Sequence, residues 1–382
     1  MPAKIIVIDD DPTGSQTVHS CLLLTRWDFA SLKKGLIDTS PLLFILNNSR
    51  ALTVDAAAKV IREICHNLKK ALKGFPHPSL FVSRSDSTLR GHYPVETDVM
   101  AKELGAFDAH FLIPAFFEGG RFTVDGIHYL MVDGKPIPVH QTEFAKDSVF
   151  GYQHAYLPEY VEEKTEGRVP AASVQRFTLA EIRRGCLERL LQLRDNVCCA
   201  VDAETQNDLN VFVAELQQAV QQGKRFLFRS AASLLTALTQ LPPQPVPATE
   251  MARYVRGGKP GVVLVGSYVS KTTEQLNRLL HEPGIVAVEV DINRLPQQRA
   301  TLLSQASTQV ARAHAAGLTP VTFTSRAERT FPDKSERLRF GKTVSALLMA
   351  IVRSLPSTVG FLISKGGITS NEVLWSRNDP YI

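Results

Sequence analysis

Residues Ile5 to Gly14 read IIVIDDDPTG, an apolar run that ends in three consecutive acids and a turn. Four β-branched residues in succession predict a strand that is covered on both faces, as in a parallel sheet. Ligands of parallel α/β sheets bind beyond the carboxyl ends of the strands, which is where Asp9, Asp10 and Asp11 stand. Adjacent acids repel one another, so we interpret the stretch as one wall of an enzyme active site; a plain turn that caps a helix is the alternative.

Short apolar runs alternate with longer amphipathic stretches along the rest of the chain. Strands are predicted at residues 5–8, 42–46, 80–82, 111–113, 197–201, 226–228, 261–265, 285–290, 321–324 and 360–363. Helices are predicted at residues 54–72, 93–104, 179–193, 297–316 and 336–353. This alternation predicts an α/β fold built from three-layer α/β/α domains with mainly parallel sheets.

A proline-rich break, LPPQPVP at residues 241–247, interrupts this pattern. A chain of 382 residues also exceeds what one hydrophobic core usually organises. We therefore expect two domains, residues 1–245 and residues 246–382.

Residues 120–135 differ from their surroundings because alternating strand-like segments are joined by two Asp-Gly pairs. Asp-Gly between such segments is typical of a β-hairpin turn. We expect a β-hairpin insertion in the first domain, either as a rim over the site or as a purely structural excursion.

Composition narrows the class of protein. Residues 246–382 hold 17 Lys and Arg against 10 Asp and Glu, whereas residues 1–245 hold 26 against 28. The cations are scattered, which argues against a nucleic-acid partner, and the apolar runs are too short for a membrane span. The five cysteines form no metal-binding or paired pattern, and no signal peptide precedes the first strand. These features predict a soluble cytoplasmic protein.

The residues that follow the other predicted strands are also polar. Arginine pairs with a carboxylate through two parallel hydrogen bonds, and aspartate accepts from sugar hydroxyls, so such loops suit a small hydroxylated anion. Surface loops are the alternative at each place. The candidate substrate-binding residues are Asn48, Ser49, Arg50, Arg84, Asp86, Ser87, Arg90 and Arg121.

Two turns in the second domain have a strand, small polar residues and a helix in succession. They begin at Gly266-Ser267 and at Gly366, and each presents backbone N–H groups where a phosphate could bind. Neither matches a P-loop or a dinucleotide-binding fingerprint.

At the level of ordered motifs, the chain resembles the four-carbon acid sugar kinases, a family long catalogued as a domain of unknown function. The resemblance covers roughly residues 4–374. Its marks are DDPTG at residues 10–14, DSTLRG at 86–91, PAFFEGGRFTVDG at 114–126, TEFAKD at 142–147 and GGITS at 366–370.

The resemblance implies a sugar-acid domain followed by a nucleotide domain, and phosphorylation of threonate, erythronate or 3-oxo-tetronate at the terminal hydroxyl by ATP with Mg²⁺. A small-molecule sugar acid is then the partner, and a homodimer is compatible with it. By this resemblance, Asp10 and Asp11 are the catalytic candidates, and Asp86 and Arg90 bind the sugar acid. The nucleotide-binding candidates are Ser267, Gly366, Gly367, Ile368 and Thr369, with no metal site of the protein's own.

Three departures limit what the resemblance implies. Pro12 and Ser15 replace the Leu or Phe and the Ala that the family commonly has, and Arg84 stands where a lysine is usual. Family members also continue past the turn at residues 366–370 into a glycine-rich loop, so the nucleotide site is expected to be incomplete in this chain.

Two other functions fit parts of the sequence. Residues 5–13 also satisfy the hhhhDxDxT pattern of haloacid-dehalogenase phosphatases, with Asp9 as nucleophile and Asp11 as acid or base. A non-catalytic protein that binds a sugar acid but no ATP is the second alternative.

Overall fold

The structure is a computed structural model that describes residues 3–11, 14, 15, 17–241, 246–295, 297–326, 330–366, 369 and 373. The described residues form two compact units, which divide on either side of the proline-rich break. Residues up to 241 belong to the first unit and residues from 246 belong to the second. Each unit has its own hydrophobic clusters.

Eight strands form the main sheet in the described part of the first unit. They are β1 (Lys4–Asp9), β2 (Leu22–Leu24), β3 (Leu42–Leu46), β4 (Ser79–Arg84), β5 (Ala109–Ile113), β9 (Gln175–Phe177), β10 (Val197–Val201) and β11 (Phe226–Ser230). Their order is β2-β3-β1-β4-β11-β5-β10-β9, and the pairings are parallel. The carboxyl ends of β3, β1, β4 and β11 therefore lie side by side.

Helices cover both faces of this sheet, as the predicted three-layer fold requires. They are α1 (Phe29–Ile37), α2 (Val54–Ala71), α3 (Val95–Leu104), α4 (Leu157–Lys164), α5 (Leu179–Arg184), α6 (Leu187–Gln192), α7 (Gln206–Gln221) and α8 (Ala232–Thr239). Strand β1 shows the reason for burial on two sides: Ile6 and Ile8 pack with α1, α2 and α3, whereas Ile5 and Val7 pack with α5 to α8.

The predicted single helix at residues 179–193 is wrong, because α5 ends at Arg184 and α6 begins at Leu187. Gly185 adopts a φ of 115° between them, a left-handed conformation that an α-helix cannot continue through. Both helices still bury an apolar residue, Ile182 and Leu190, against the same core.

The insertion is an antiparallel sheet of three strands, one more than the predicted hairpin has. The strands are β6 (Arg121–Val124), β7 (Ile127–Val132) and β8 (Lys135–Pro138). Both Asp-Gly turns have positive φ at each residue, 52° and 77° at Asp125-Gly126 and 49° and 76° at Asp133-Gly134. This is the turn geometry that matches the twist of paired strands and explains why Asp-Gly occurs at both places.

The second unit has a smaller parallel sheet, in the order β13-β14-β12-β15. Its strands are β12 (Val262–Val265), β13 (Ile285–Val290), β14 (Thr319–Thr324) and β15 (Leu362–Lys365). Its helices are α9 (Ser270–Leu280), α10 (Arg299–Ala315) and α11 (Lys334–Arg353). α10 and α11 pack on one face of the sheet and α9 on the other, so this unit also has three layers.

Candidate functional site

The loops after β1, β3 and β4 are joined to one another through their backbones. The N–H of Asp10 donates to the carbonyl of Arg84 at 3.3 Å, and the N–H of Arg50 donates to the carbonyl of Asp10 at 3.4 Å. Three segments that are distant in sequence therefore form one surface at the carboxyl edge of the sheet, where the sequence analysis placed the site.

Asp10 and Arg50 form the centre of this surface. Arg50 Nη2 donates to Asp10 Oδ1 at 2.5 Å, and Ser85 Oγ donates to Asp10 Oδ2 at 2.6 Å. Burial raises the pKa of Asp10 above its ordinary value, against the opposing attraction of Arg50. Asp10 is 1% exposed and both of its carboxylate oxygens accept hydrogen bonds, so its present contacts are structural.

Arg50 continues from this centre toward solvent. Its Nη1 atom lies 3.5 Å from Asp11 Oδ2 and 3.8 Å from Asp86 Oδ1. The side chains of Asp11 and Asp86 are 11% and 14% exposed, so both carboxylates are only partly open to solvent. Arg50 thus lies within ion-pair distance of two acids that are less completely buried than Asp10.

Asp86 and Arg90 form a second ion pair, with Arg90 Nε 2.8 Å from Asp86 Oδ2. Burial alone would raise the pKa of Asp86, but the charges of Arg90 and Arg50 outweigh it and hold this pKa well below its usual value. Arg90 also lies 3.7 Å from Asp147 and stacks 4.8 Å above the ring of Phe144. At 24% exposure, its side chain is the most accessible guanidinium of those that contact Asp10, Asp11 or Asp86.

Asp9 and Arg84 are a buried pair beneath this surface. Arg84 Nη1 lies 3.3 Å from Asp9 Oδ1, and Asp9 is completely buried. Burial raises the pKa of Asp9 to about 7 in spite of Arg84. Gly14 lies directly over the carboxylate, since a Cβ added there would be 1.8 Å from Asp9 Oδ2. A nucleophile must reach its phosphorus atom, so the burial of Asp9 argues against the phosphatase alternative.

Of the other predicted substrate residues, Ser49 and Ser87 are buried, whereas Asn48 and Arg121 are half-buried. Ser49 is completely buried and its hydroxyl donates to Glu96 Oε1 at 2.5 Å. Asn48 adopts a left-handed φ of 53°, and Ser87 is buried with its carbonyl 2.8 Å from His128 Nε2. Arg121 Nη1 donates to the carbonyl of Gly119 at 2.5 Å. The side chains of Ser49 and Arg121 therefore hold their loops in place.

Sequence reasoning missed three residues of this site: Ser85, Glu96 and Arg229. Arg229 Nη2 donates to Ser85 Oγ at 2.7 Å, and its Nη1 donates to Glu96. Arg229 lies one residue past the predicted end of its strand, so the rule that located the other loops could have found it. Glu96 lies in the first turn of α3, where an acid ordinarily serves the helix, and the sequence carries no signal of its contact with Arg229.

A small cavity adjoins the site, lined by residues that include Ser85, Asp86, Arg90, Arg229 and Ser230. Its volume for water-sized molecules is about 10 Å³, which holds about one water. A four-carbon acid therefore does not fit inside this cavity.

In the second unit, the turns after β12 and β15 contact each other. A Cβ at Gly266 would lie 1.9 Å from Thr369 Oγ1, and one at Gly366 would lie 3.0 Å from the Ser267 nitrogen. The backbones can approach this closely only because both positions are glycine. Gly367 and Ile368 lie outside the described residues.

Helix α9 starts beside this pair of turns without a side-chain hydrogen bond at its N-cap, Val269. Its first backbone N–H groups therefore remain available to an anion. Arg326, which the sequence analysis did not single out, donates to the Ser267 carbonyl at 2.6 Å and to Thr273 Oγ1 at 2.8 Å. The arrangement suits a phosphate group.

Among the residues that the structure describes, no group of three or more His, Cys, Asp or Glu side chains is arranged to hold a metal ion. No described helix is both long enough and apolar enough to cross a membrane.

Comparison with known proteins begins with two family models. A model described as a sugar-binding N-terminal domain matches residues 5–238, and one described as a nucleotide-binding C-terminal domain matches residues 262–377. The D-erythronate kinase of Heliobacterium modesticaldum is 27% identical over 328 residues, which cover 81% of this chain and 68% of that relative.

Two solved structures share the fold. A Salmonella typhimurium LT2 protein, provisionally described as a tRNA synthase, is 18% identical with a TM-score of 0.63 over 99% of this chain and 89% of its own. A Haemophilus influenzae protein with a domain of unknown function is 18% identical with a TM-score of 0.54 over 99% and 90%. The first family model alone spans more than half of the chain, and with the second it shows that the chain belongs to the four-carbon acid sugar kinase family.

Proposed function

We propose that the protein is a kinase that transfers the γ-phosphoryl group of ATP to the terminal hydroxyl of a four-carbon sugar acid in carbohydrate catabolism. Membership of the kinase family and the similarity to a D-erythronate kinase support a substrate of the erythronate, threonate or 3-oxo-tetronate type. The observation that carries the proposal is the accessible wall of Arg50, Asp86 and Arg90 at the carboxyl edge of the sheet.

The wall suits a sugar acid because it offers cations and hydrogen-bond acceptors together. Arg90 binds the substrate carboxylate, since its side chain is 24% exposed and that of Arg50 is 17% exposed. Asp86 stays ionised because its pKa is held low, so it accepts hydrogen bonds from substrate hydroxyls. The two groups stand side by side, as the carboxylate and the hydroxyls of a four-carbon acid do.

Asp11 is the group that accepts the proton of the reacting hydroxyl. The sequence left Asp10 and Asp11 equivalent, but Asp10 is 1% exposed and holds Arg50 and Ser85 with its two oxygens. The side chain of Asp11 is 11% exposed. A base must come within hydrogen-bond distance of its substrate, which favours Asp11.

The nucleotide binds through the second unit. Ser267, Gly366 and Thr369 form the phosphate site, and the first N–H groups of α9 donate to the phosphates. Gly367 and Ile368 are assigned to the same site by the resemblance alone. Mg²⁺ would be held mainly by these phosphates and by water, because it keeps several waters and needs few protein ligands. When bound, it neutralises the charge that develops on the transferred group.

The test is ATP consumption by the purified protein with D-erythronate, L-threonate, D-threonate and their 3-oxo relatives, each with Mg²⁺. We expect turnover of at least one acid and none without acid. A folded protein whose melting temperature rises with a sugar acid, but which consumes no ATP with any of them, would be a non-catalytic binding protein. Hydrolysis of an aryl phosphate that Asp9→Asn abolishes would restore the phosphatase alternative.

We also propose that this kinase works in the cytoplasm, where ATP is available, and that it forms a homodimer. Light scattering of the purified protein checks the second point. A mass near 42.2 kDa at all concentrations would contradict it.

A further inference from the structure

A buried network behind Asp10 has no part in the function proposed above. Arg229 donates from Nη1 to Glu96 and to Ser83 Oγ at 2.8 Å, and from Nη2 to Ser85 Oγ at 2.7 Å. Arg229 is 4% exposed and Glu96 is 2% exposed. Although burial acts in the opposite direction, Arg229 and Ser49 hold the pKa of Glu96 below its ordinary value, so this is an ionised pair.

Ser85 connects that pair to the site. Its hydroxyl has a single proton, and one of its lone pairs is occupied by the N–H of Arg229. Two acceptors remain within reach, Asp10 Oδ2 at 2.6 Å and the carbonyl of Arg90 at 3.0 Å. The proton goes to Asp10, because the shorter contact is to a charged oxygen.

Gly91 supplies an independent observation. A Cβ at this position would lie 2.5 Å from Ser85 Oγ, 2.7 Å from Arg229 Nη2 and 3.0 Å from Asp10 Oδ2. The backbone of Gly91, with a φ of 129°, therefore packs directly on the junction of the three side chains. The glycine that closes the DSTLRG motif leaves room for this junction and for no side chain.

We propose that Ser85 is a positioning residue, whose hydroxyl transmits the fixed orientation of the buried Arg229–Glu96 pair to Asp10. Asp10 then fixes Arg50, and Arg50 fixes the separation of Asp11 and Asp86. The charges alternate in sign along this series of contacts. Glu96 is negative and Arg229 is positive, the neutral Ser85 follows, and then Asp10 is negative and Arg50 is positive. Each member can keep its orientation only while its neighbours keep theirs.

The structure offers a matched pair of serines to test this. Ser83 and Ser85 lie two residues apart, at the end of β4 and directly after it, and both hydroxyls accept from Arg229. Among the described contacts, Ser85 alone of the two bonds to Asp10. Ser83→Ala and Ser85→Ala therefore each remove one contact to Arg229, and only Ser85→Ala also removes the contacts to Asp10 and to the Arg90 carbonyl.

The first measurement is steady-state kinetics across pH, and it rests on the proposed function. We expect Ser85→Ala to lower kcat/KM for the sugar acid by roughly 10- to 100-fold, the value of a hydrogen bond to a charged group, and to shift the acid limb of the profile. Ser83→Ala should stay within about threefold with an unshifted limb. Equal effects of the two variants, or none, would overturn the proposal.

The second measurement is independent of activity. Carbon-13 NMR of the aspartate carboxyls, with Asp10→Asn to assign the signal, follows the titration of Asp10, which faces Arg50, Glu96 and Arg229. Loss of a donor to the ionised form should raise the pKa of Asp10 in Ser85→Ala and leave it unchanged in Ser83→Ala. If no sugar acid is phosphorylated, the proposed function fails and only this titration tests the positioning role of Ser85. An unchanged pKa of Asp10 in Ser85→Ala would contradict that role.

Discussion

The carboxyl group of Asp9 is buried where its charged form is disfavoured. Its pKa is about 7 in the folded protein against 3.8 ordinarily, so between these values the folded state holds a proton that the unfolded chain releases. Stability therefore falls as pH rises from about 4 to about 7. We expect the free energy of unfolding of the wild type to fall by a few kcal/mol relative to Asp9→Asn across this window, at about 1.4 kcal/mol for each pKa unit.

Urea unfolding of both proteins at pH 4, 5, 6 and 7 measures that difference. The test is how the difference in unfolding free energy between the two proteins changes with pH. Its absolute size is not informative, because the amide of the Asp9→Asn variant alters the contact with Arg84 at every pH. Two curves that stay parallel from pH 4 to pH 7 would show that Asp9 titrates normally.

Loss of the Asp11 carboxylate should reduce activity without destabilising the protein, whereas loss of the Asp10 carboxylate should also reduce stability. Asp11→Asn should lower kcat about 10²- to 10⁴-fold, the usual contribution of a general base, with little change in melting temperature. Asp10→Asn should lower the melting temperature as well, because Arg50 and Ser85 lose a charged acceptor. Kinetics and thermal unfolding of the two variants check this. Wild-type kcat in Asp11→Asn would exclude it as the base.

Arg90 gives a prediction about binding. A lysine keeps the charge but cannot make two parallel hydrogen bonds to a carboxylate. Arg90→Lys should therefore raise KM for the sugar acid and leave KM for ATP unchanged. Arg168→Lys is the control, since Arg168 pairs with Asp98 at a site that is 55% exposed. Equal changes in both variants would argue against a carboxylate contact at Arg90.

At the scale of elements, the three-stranded insertion is attached to the substrate loop by His128. Its ring lies between Thr123 Oγ1, at 2.9 Å from Nδ1, and the Ser87 carbonyl, at 2.8 Å from Nε2. Burial lowers the pKa of His128 to about 4, so the ring is neutral and Nε2 donates to Ser87. The insertion thereby fixes the loop that carries Asp86 and Arg90.

His128→Ala should destabilise the protein by about 2–4 kcal/mol, because it leaves a cavity and an unpaired carbonyl. Hydrogen exchange should speed up at residues 86–91 and in β7 more than in β13. Tyr129→Ala, on the half-buried face of the same strand, is the control. Unchanged exchange at residues 86–91 in His128→Ala would show that the loop does not depend on the insertion.

Most elements could be predicted from the sequence because their apolar periodicity is strong. β3 and β13 begin and end at the predicted residues. β2 and β9 were missed because each has three residues, too few to show a period. The loops around Asp10, Arg50 and Asp86 were located by the rule about strand ends, whereas Glu96 depends on how α3 lies against β11, which only the folded chain reveals.

At the scale of the whole molecule, two units with separate cores predict two responses to ligands. A sugar acid should raise the temperature of one calorimetric transition, and a non-hydrolysable ATP analogue should raise that of the other. At a ligand concentration of 100 Kd the stabilisation is about 2.7 kcal/mol. Scanning calorimetry of the full chain with each ligand measures this. A single transition that both ligands raise equally would contradict independent units.

The large sheet ends on both sides with its shortest strands. β2 and β9 have three residues each, whereas the inner strands β1 and β4 have six residues each. An outer strand exposes a row of unpaired N–H and C=O groups on which another polypeptide can align. Three residues give such a polypeptide too few partners to form a stable ladder. The first unit is thereby protected against edge-to-edge aggregation, even though the strands inside it are buried and mostly apolar.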